Sequence, residues 1–163
     1  MYKMGIITVS DKGAAGERED ISGKQIQTIM MEYEYMICGY TIVPDDKDVI
    51  KKELIHMADN LNVQLILTTG GTGFSQRDVT PEATLEVVDR IAPGIVEAIR
   101  GNSMTITKRA MLSRAVSGIR NKTLIVNLPG SPKAVKESLL FIIDELEHGI
   151  DILTGQSAEC ARR

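Results

Sequence analysis

Four short runs of apolar residues recur along the chain, and each precedes a turn and a segment with apolar residues at helical spacing. The runs span residues 4–10, 35–44, 63–69 and 122–130. They are apolar at nearly every position rather than at alternate positions, so both faces of each strand are expected to be buried. The pattern predicts a three-layer α/β/α fold with a mostly parallel central sheet.

The chain length and the helix starts complete this prediction. A chain of 163 residues without a repeat, a low-complexity tract or a linker is expected to form a single domain over residues 1–163. Asp45, Thr80 and Ser131 are the expected N-caps of three helices, and a proline follows each of the last two. The region from residue 93 to 118 is expected to be helical or irregular.

The composition argues against several classes of function. Trp is absent and aromatic residues make up 4% of the chain, which disfavours binding of single-stranded nucleic acid by base stacking. No apolar run approaches the ~18 residues that a membrane span needs. Cys38 and Cys160 belong to no zinc-binding motif, and two lone cysteines are typical of a reducing compartment. We therefore expect a cytoplasmic protein without a nucleic-acid or membrane partner.

The charges are distributed unevenly along the chain. The net charge is −3, yet residues 98–136 contain no Asp or Glu. The same segment carries eight cations, namely Arg100, Lys108, Arg109, Arg114, Arg120, Lys122, Lys133 and Lys136. Either these cations form a surface that meets an anionic ligand, or they are solvated side chains spread over several faces.

Small and polar residues follow the predicted strands. The strand ends read SDKG from Ser10, PDD after Val43, TTGGTG from Thr68 and NLPGSP from Asn127. In open parallel sheets, ligands bind outside the carboxyl ends of the strands. These four stretches are therefore expected to converge on one site.

The stretch from Leu65 to Thr80 ends one strand in glycines and hydroxyls. Gly70, Gly71 and Gly73 permit positive φ and a close approach of backbone N–H groups to an anion. Neither the lysine of a P-loop nor the third glycine of a dinucleotide-binding loop is present. The stretch is therefore either a different anion-binding loop or a tight strand-to-helix turn.

Two aspartates lie near this predicted edge. One interpretation of Asp78 is a carboxylate that positions either Mg²⁺ or a reacting group beside phosphate. The other is an acidic residue that the dipole of the next helix favours. Asp45 is either the N-cap described above or a second carboxylate that faces Asp78 and shares a metal or acid–base work with it. Other polar groups here fit either ligand binding or ordinary turn chemistry, namely Ser10, Asp11, Asn127, Gly130 and Ser131.

Three stretches together resemble a known family. LILTTGGTGFSQRDVTPEAT, NLPGSPKA and the N-terminal ITVSD resemble the molybdopterin adenylyltransferases of molybdenum cofactor biosynthesis, which include MogA/MoaB-like proteins and the G domain of gephyrin. The resemblance covers nearly the whole chain. It implies a parallel α/β fold, a homotrimer, and a transient contact with the enzyme that inserts molybdate.

The resemblance also implies a reaction and its residues. Molybdopterin and ATP would give adenylyl-molybdopterin and pyrophosphate with Mg²⁺, and the alternative is a MoaB-like protein that binds molybdopterin without adenylyltransferase activity. Asp45 and Asp78 match aspartates implied in catalysis or Mg²⁺ positioning. The implied nucleotide and pterin contacts are Ser10, Asp11, Gly70, Gly71, Thr72, Gly73, Ser113, Arg114, Asn127, Pro129, Gly130 and Ser131.

Overall fold

A computed structural model describes residues 1–156 of the chain, so Cys160 lies outside the described residues. Within them the strands are β1 (Lys3–Val9), β2 (Met36–Val43), β3 (Leu65–Thr69), β4 (Arg90–Ile91), β5 (Ser117–Arg120) and β6 (Thr123–Leu128). They form one sheet in the order β2-β1-β3-β6-β5-β4. Strands β1, β2, β3 and β6 are parallel, and β5 and β4 continue the sheet as antiparallel strands. The predicted mostly parallel sheet is confirmed.

Helices cover both faces of the sheet. They are α1 (Asp11–Ala14), α2 (Ile21–Glu32), α3 (Lys47–Ile55), α4 (Thr80–Val87), α5 (Pro93–Met104) and α6 (Pro132–Thr154). Helices α2, α5 and α6 pack on one face, where Leu67 of β3 is fully buried. Helices α3 and α4 pack on the other face, where the neighbouring residue Ile66 is fully buried. This arrangement confirms the three-layer prediction.

Some elements carry no clear signal in the hydropathy pattern. Strands β4 and β5 are two and four residues long, which is too short for a recognisable apolar run. Strand β5 folds back on β6 through a turn in which Asn121 has a positive φ of 52°. Residues Asp11–Ala14, which follow β1, form the short helix α1.

The helix caps differ in part from the prediction. Ser131 accepts a hydrogen bond from the N–H of Ala134, so its predicted cap is confirmed. The predicted cap at Asp45 is wrong, because Asp46 accepts from the N–H of Val49 and occupies the N-cap of α3. Thr80 is the first residue of α4 rather than its cap. Both displaced residues bond elsewhere at the carboxyl edge of the sheet.

The structure also bears on membrane association. Among residues 1–156, no helix is both long enough and apolar enough to cross a bilayer. The long helix α6 has 23 residues, but only one stripe of it is buried. Its opposite side includes exposed charged residues such as Asp144 and Glu145.

We predict that Ile66→Ala and Leu67→Ala each lower the free energy of unfolding by about 2–5 kcal/mol, because each side chain is fully buried on a different face of the sheet. Chemical denaturation checks both values. The control is Leu140→Ala on the exposed side of α6, for which we expect a change within about 0.5 kcal/mol. A near-neutral Ile66→Ala or Leu67→Ala variant would contradict a sheet covered on both faces.

Candidate active site at the carboxyl edge of the sheet

An open cleft lies where β1, β2, β3 and β6 end. Its volume is about 680 Å³. Seven of the residues singled out in the sequence line it, namely Ser10, Asp45, Gly70, Gly71, Asp78, Gly130 and Ser131. All four predicted strand ends therefore contribute to this cleft.

A second cavity is lined by other residues of the loops that follow β3 and β6. Its volume is about 310 Å³. It is lined by five further predicted residues, namely Thr72, Gly73, Ser113, Asn127 and Pro129. Apolar side chains of α5, including Val96 and Ile99, complete it. The glycine loop, which we define as Gly70–Gly73, thus contributes residues to both cavities.

The glycine loop needs glycine at its first two positions. Gly70 and Gly71 have φ values of 93° and 71°, which side chains other than glycine rarely adopt. A Cβ at Gly70 would lie 2.3 Å from the carbonyl oxygen of Val9, and one at Gly71 would lie 2.3 Å from Oγ1 of Thr80. Close packing of the loop against β1 and α4 therefore excludes any larger residue.

Thr80 holds this loop through two of its carbonyl groups. Thr80 Oγ1 donates to the Gly70 carbonyl at 2.9 Å, and the Thr80 N–H donates to the Gly71 carbonyl at 3.1 Å. Within residues 1–156, the N–H groups of Gly71, Thr72 and Gly73 donate no hydrogen bond to a protein acceptor. Backbone N–H groups of this kind are the donors with which a loop holds an anion.

Two carboxylates lie close to the glycine loop. A Cβ placed on Gly71 would be 3.3 Å from Asp45 Oδ1, and one on Gly73 would be 2.8 Å from Asp78 Oδ2. Asp78 Oδ2 accepts a 3.0 Å hydrogen bond from the N–H of Ser75, which fixes its orientation. Asp45 and Asp78 both line the larger cleft, so the structure brings the two predicted aspartates together.

Burial is the main reason that the pKa of Asp45 is raised above its ordinary value. The negative charges of Asp11 and Asp78 raise it further, whereas the Asp11 N–H and the Arg77 charge lower it. A partly buried carboxylate with two carboxylates nearby gains from a cation between them. Among residues 1–156, no three acidic, histidine or cysteine side chains form a complete metal cluster. Two carboxylates supply only part of a cation's ligands, and for Mg²⁺ substrate phosphates commonly supply others.

Asp11 is bonded to the protein rather than turned towards the cleft. Its N–H donates to Asp45 Oδ2 and its Oδ1 accepts from the Asp45 N–H, both at 2.9 Å. Arg77 donates to both oxygens of Asp11, at 3.0 and 2.8 Å. The hydrogen bonds from Arg77 are the main reason that the pKa of Asp11 is lowered. Asp11 is thus an ion-paired support of Asp45.

Arg114, a predicted ligand contact, is bonded to the backbone around the glycine loop. Its guanidinium donates to the carbonyl of Gly73 at 2.7 Å and to the carbonyl of Asp78 at 2.6 Å. It also forms an ion pair with Glu82 of α4. These contacts occupy the guanidinium and fix the backbone on both sides of residues 74–77.

The basic segment does not form one anionic-ligand surface. Arg100 donates to the carbonyls of Ser113 and Ala115, and Arg120 donates to Asp59 at the opposite end of the sheet. Other cations of the segment are exposed, namely Lys108, Arg109, Lys122, Lys133 and Lys136. Arg100 and Arg109 line the smaller cavity. The alternative of cations spread over several faces therefore describes most of this segment.

The sequence reasoning missed Asp20, which lines the larger cleft. Its carboxylate accepts hydrogen bonds from Thr8 Oγ1 at 2.6 Å, from the Gly23 N–H at 2.8 Å, and from the hydroxyl of Tyr40. Burial, followed by the bond to Asp20, raises the pKa of Tyr40, so its hydroxyl stays protonated and donates. The available signal was the position of Asp20 just before a helical pattern, as an N-cap.

Asn127, another expected contact, has its side chain bonded within the fold. Its Nδ2 donates to the hydroxyls of Thr68 and Thr84, both at 3.0 Å, and its Oδ1 accepts from the Val116 N–H at 3.1 Å. The residue is 1% exposed. Its amide thus links β6 to β3, to α4 and to the segment before β5.

We predict that Asn127→Ala lowers the free energy of unfolding by about 2–4 kcal/mol, because the N–H of Val116 loses its acceptor and two buried hydroxyls lose a partner. Ser131→Ala is the comparison, and loss of that cap is expected to cost about 1 kcal/mol. Urea denaturation measures both. Wild-type stability of Asn127→Ala would argue that its amide serves a ligand rather than the fold.

Comparisons with known proteins agree with one another. A family model described as a probable molybdopterin binding domain matches residues 5–148. A molybdopterin adenylyltransferase of Helicobacter pylori is 42% identical over 154 residues, covering 93% of this chain and 88% of the relative. The structure of the molybdopterin biosynthesis enzyme MoaB from Thermus thermophilus has a TM-score of 0.90 at 46% identity, covering 95% of this chain and 98% of that chain. The tungsten cofactor synthesizing protein MoaB from Pyrococcus furiosus has a TM-score of 0.85 at 37% identity, covering 93% and 96% of the two chains.

Proposed function

The chain belongs to the family of probable molybdopterin-binding domains, and on that premise we propose that it is a molybdopterin adenylyltransferase. It acts in molybdenum cofactor biosynthesis. The terminal phosphate of molybdopterin attacks the α-phosphorus of ATP. A new P–O bond forms, the bond to the β-phosphate breaks, and pyrophosphate leaves.

The observation that carries this proposal is the placement of two carboxylates beside a glycine loop that contributes to two cavities. Two substrates must meet at one phosphorus atom, and two adjoining cavities supply room for both. The unoccupied N–H groups of Gly71, Thr72 and Gly73 are suited to hold phosphate oxygens between them. Transfer of this kind depends on in-line positioning and charge neutralisation more than on a protein nucleophile.

Asp45 and Asp78 are the residues that would hold Mg²⁺ in this proposal. A bound Mg²⁺ supplies neutralisation of phosphate charge near the attacked phosphorus. The protein contributes orientation, because Ser75 holds Asp78, and Asp11 holds Asp45 through paired hydrogen bonds. Ser10, Gly130 and Ser131 line the same cleft and are proposed contacts of the substrates there.

A second candidate function is suggested by the structural relatives named MoaB. In this alternative the protein binds molybdopterin and performs no transfer. The two functions make different predictions, because a binding protein gives saturable pterin binding that ATP does not alter. The name of the Pyrococcus relative includes tungsten, so either metal fits the later step of the pathway.

Further parts of the proposal rest on the family resemblance. They are a homotrimer, a cytoplasmic location and a transient contact with the enzyme that inserts the metal. Three of the predicted contacts, Asp11, Arg114 and Asn127, are assigned to the protein scaffold of the site. The support for this is that Asp11 pairs with Arg77, and that Arg114 and Asn127 bond to other protein groups.

We predict that the protein releases pyrophosphate from ATP in the presence of intact molybdopterin and Mg²⁺. Asp78→Asn is expected to lower kcat by at least about 100-fold, because a change of this size follows the loss of one electrostatic contact to a transition state. Binding of the pterin is expected to change much less. A coupled pyrophosphate assay and fluorescence titration measure the two quantities. The control is Asp46→Asn, because asparagine also caps helices and the Asp46 carboxylate accepts from the Val49 N–H at the start of α3.

No pyrophosphate above the enzyme-free level, with pterin shown to be intact, would favour the binding function instead. Equal losses of pterin affinity and of kcat in Asp78→Asn would mean that Asp78 acts in binding alone.

We also predict that chelation of divalent cations by EDTA abolishes pyrophosphate release and that excess Mg²⁺ restores it. The physical reason is that Asp45 and Asp78 would otherwise add negative charge beside the triphosphate. The assay is repeated with Asp45→Asn, which is expected to need a higher Mg²⁺ concentration for half-maximal rate. Full activity in EDTA would rule out a metal in this step.

A further inference from the structure

The ion pair between Arg77 and Asp11 joins parts of the site that are far apart in sequence. Arg77 directly precedes Asp78 in the segment between the glycine loop and α4. Asp11 lies just after β1, and it exchanges backbone-to-carboxylate hydrogen bonds with Asp45 at the end of β2. A continuous set of hydrogen bonds therefore runs from the residue beside Asp78, through Asp11, to Asp45.

The geometry of this pair is specific. Nε and Nη2 of Arg77 meet the two oxygens of Asp11 at 3.0 and 2.8 Å, which is a two-pronged contact that a lysine cannot reproduce. Asp11 Oδ1 accepts from Arg77 and from the Asp45 N–H together. Asp11 Oδ1 thus links the Arg77 side chain to the backbone of Asp45.

The contact also separates the roles of three neighbouring carboxylates. Asp11, Asp45 and Asp78 lie close enough for their charges to interact. The guanidinium of Arg77 neutralises Asp11 and occupies both of its oxygens. Asp45 and Asp78 are left as the two carboxylates open to a cation in the cleft.

A purely structural role accounts poorly for this ion pair. The side chains of Arg77 and Asp11 are 63% and 42% exposed, and exposed ion pairs contribute little to the stability of a fold. Arg120 and Asp59 form a matched pair at the opposite end of the sheet, with the same two-pronged contact but with only 22% and 32% exposure. The chain therefore contains its own control for a structural arginine–aspartate pair.

We propose that Arg77 is a positioning residue, which sets the separation of Asp45 and Asp78 by holding Asp11 and thereby prepares these two carboxylates to bind a divalent cation with ATP. The inference rests on the proposed function for its effect on turnover. It does not require Arg77 to touch either substrate.

The test compares Arg77→Gln with Arg120→Gln in the full chain. In the first variant kcat for pyrophosphate release falls about 10- to 100-fold, the usual effect of losing a residue that orients metal ligands, and both KM values change less than about threefold. Arg77→Lys restores only part of the loss, because one ammonium cannot meet both oxygens of Asp11. Arg120→Gln keeps wild-type kcat, and its thermal midpoint falls more than that of Arg77→Gln.

A double-mutant cycle tests whether Arg77 acts through Asp11. Asp11→Asn and Arg77→Gln each lower kcat, and the double variant is no slower than the slower single variant. Additive losses would mean that the two residues act independently, which overturns the proposal. A large rise in the KM for ATP with unchanged kcat would make Arg77 a substrate contact, which also overturns it.

A measurement without turnover separates this inference from the proposed function. Mn²⁺ binding in the presence of ATP is followed by electron paramagnetic resonance. Arg77→Gln is expected to weaken Mn²⁺ binding about 10- to 100-fold, whereas Arg120→Gln leaves it unchanged. If the wild type releases no pyrophosphate, but Arg77→Gln binds Mn²⁺ more weakly than the wild type by this factor, the transferase function fails and the positioning role stands. Equal Mn²⁺ affinity in wild type and Arg77→Gln overturns the positioning role.

Discussion

Burial of the parallel sheet on both faces decides where polar chemistry can lie in this protein. Residues such as Ile66 and Leu67 of β3 point to opposite helix layers and are fully buried. The strand ends are the places where the backbone leaves this apolar environment. Ser10, Asp45, Gly70 and Gly130 therefore come together at one edge, although they are distant in sequence.

The glycine loop at that edge is held from several sides. Its carbonyl groups accept from Thr80 and Arg114, and within residues 1–156 the N–H groups of Gly71, Thr72 and Gly73 donate to no protein acceptor. Arg77 and Arg114 make different contacts around the segment that carries Asp78. Arg114 fixes the backbone around Asp78, whereas Arg77 links that segment to Asp11 and hence to Asp45. Two arginines thus supply rigidity where a P-loop uses a lysine to contact phosphate.

The same residue types serve both the fold and the site, and only their contacts separate the two uses. Asn127 bonds to two buried hydroxyls and to the N–H of Val116, as a structural amide does. Asp46 caps a helix, while its neighbour Asp45 lines the cleft with a raised pKa. A carboxyl group in a cleft whose pKa is raised by burial and by neighbouring carboxylates is a candidate functional residue.

The sequence alone determined the fold class, the convergence of the strand ends and the family, because apolar runs and the motif around residues 65–84 are local signals. It also identified the cap at Ser131. Tertiary structure decided which of two adjacent aspartates caps α3, because Asp45 meets the N–H of Asp11, a residue 34 positions away. It likewise decided the partners of Arg77, Arg114 and Asp20. Such contacts depend on the relative placement of loops, which no pattern within one segment encodes.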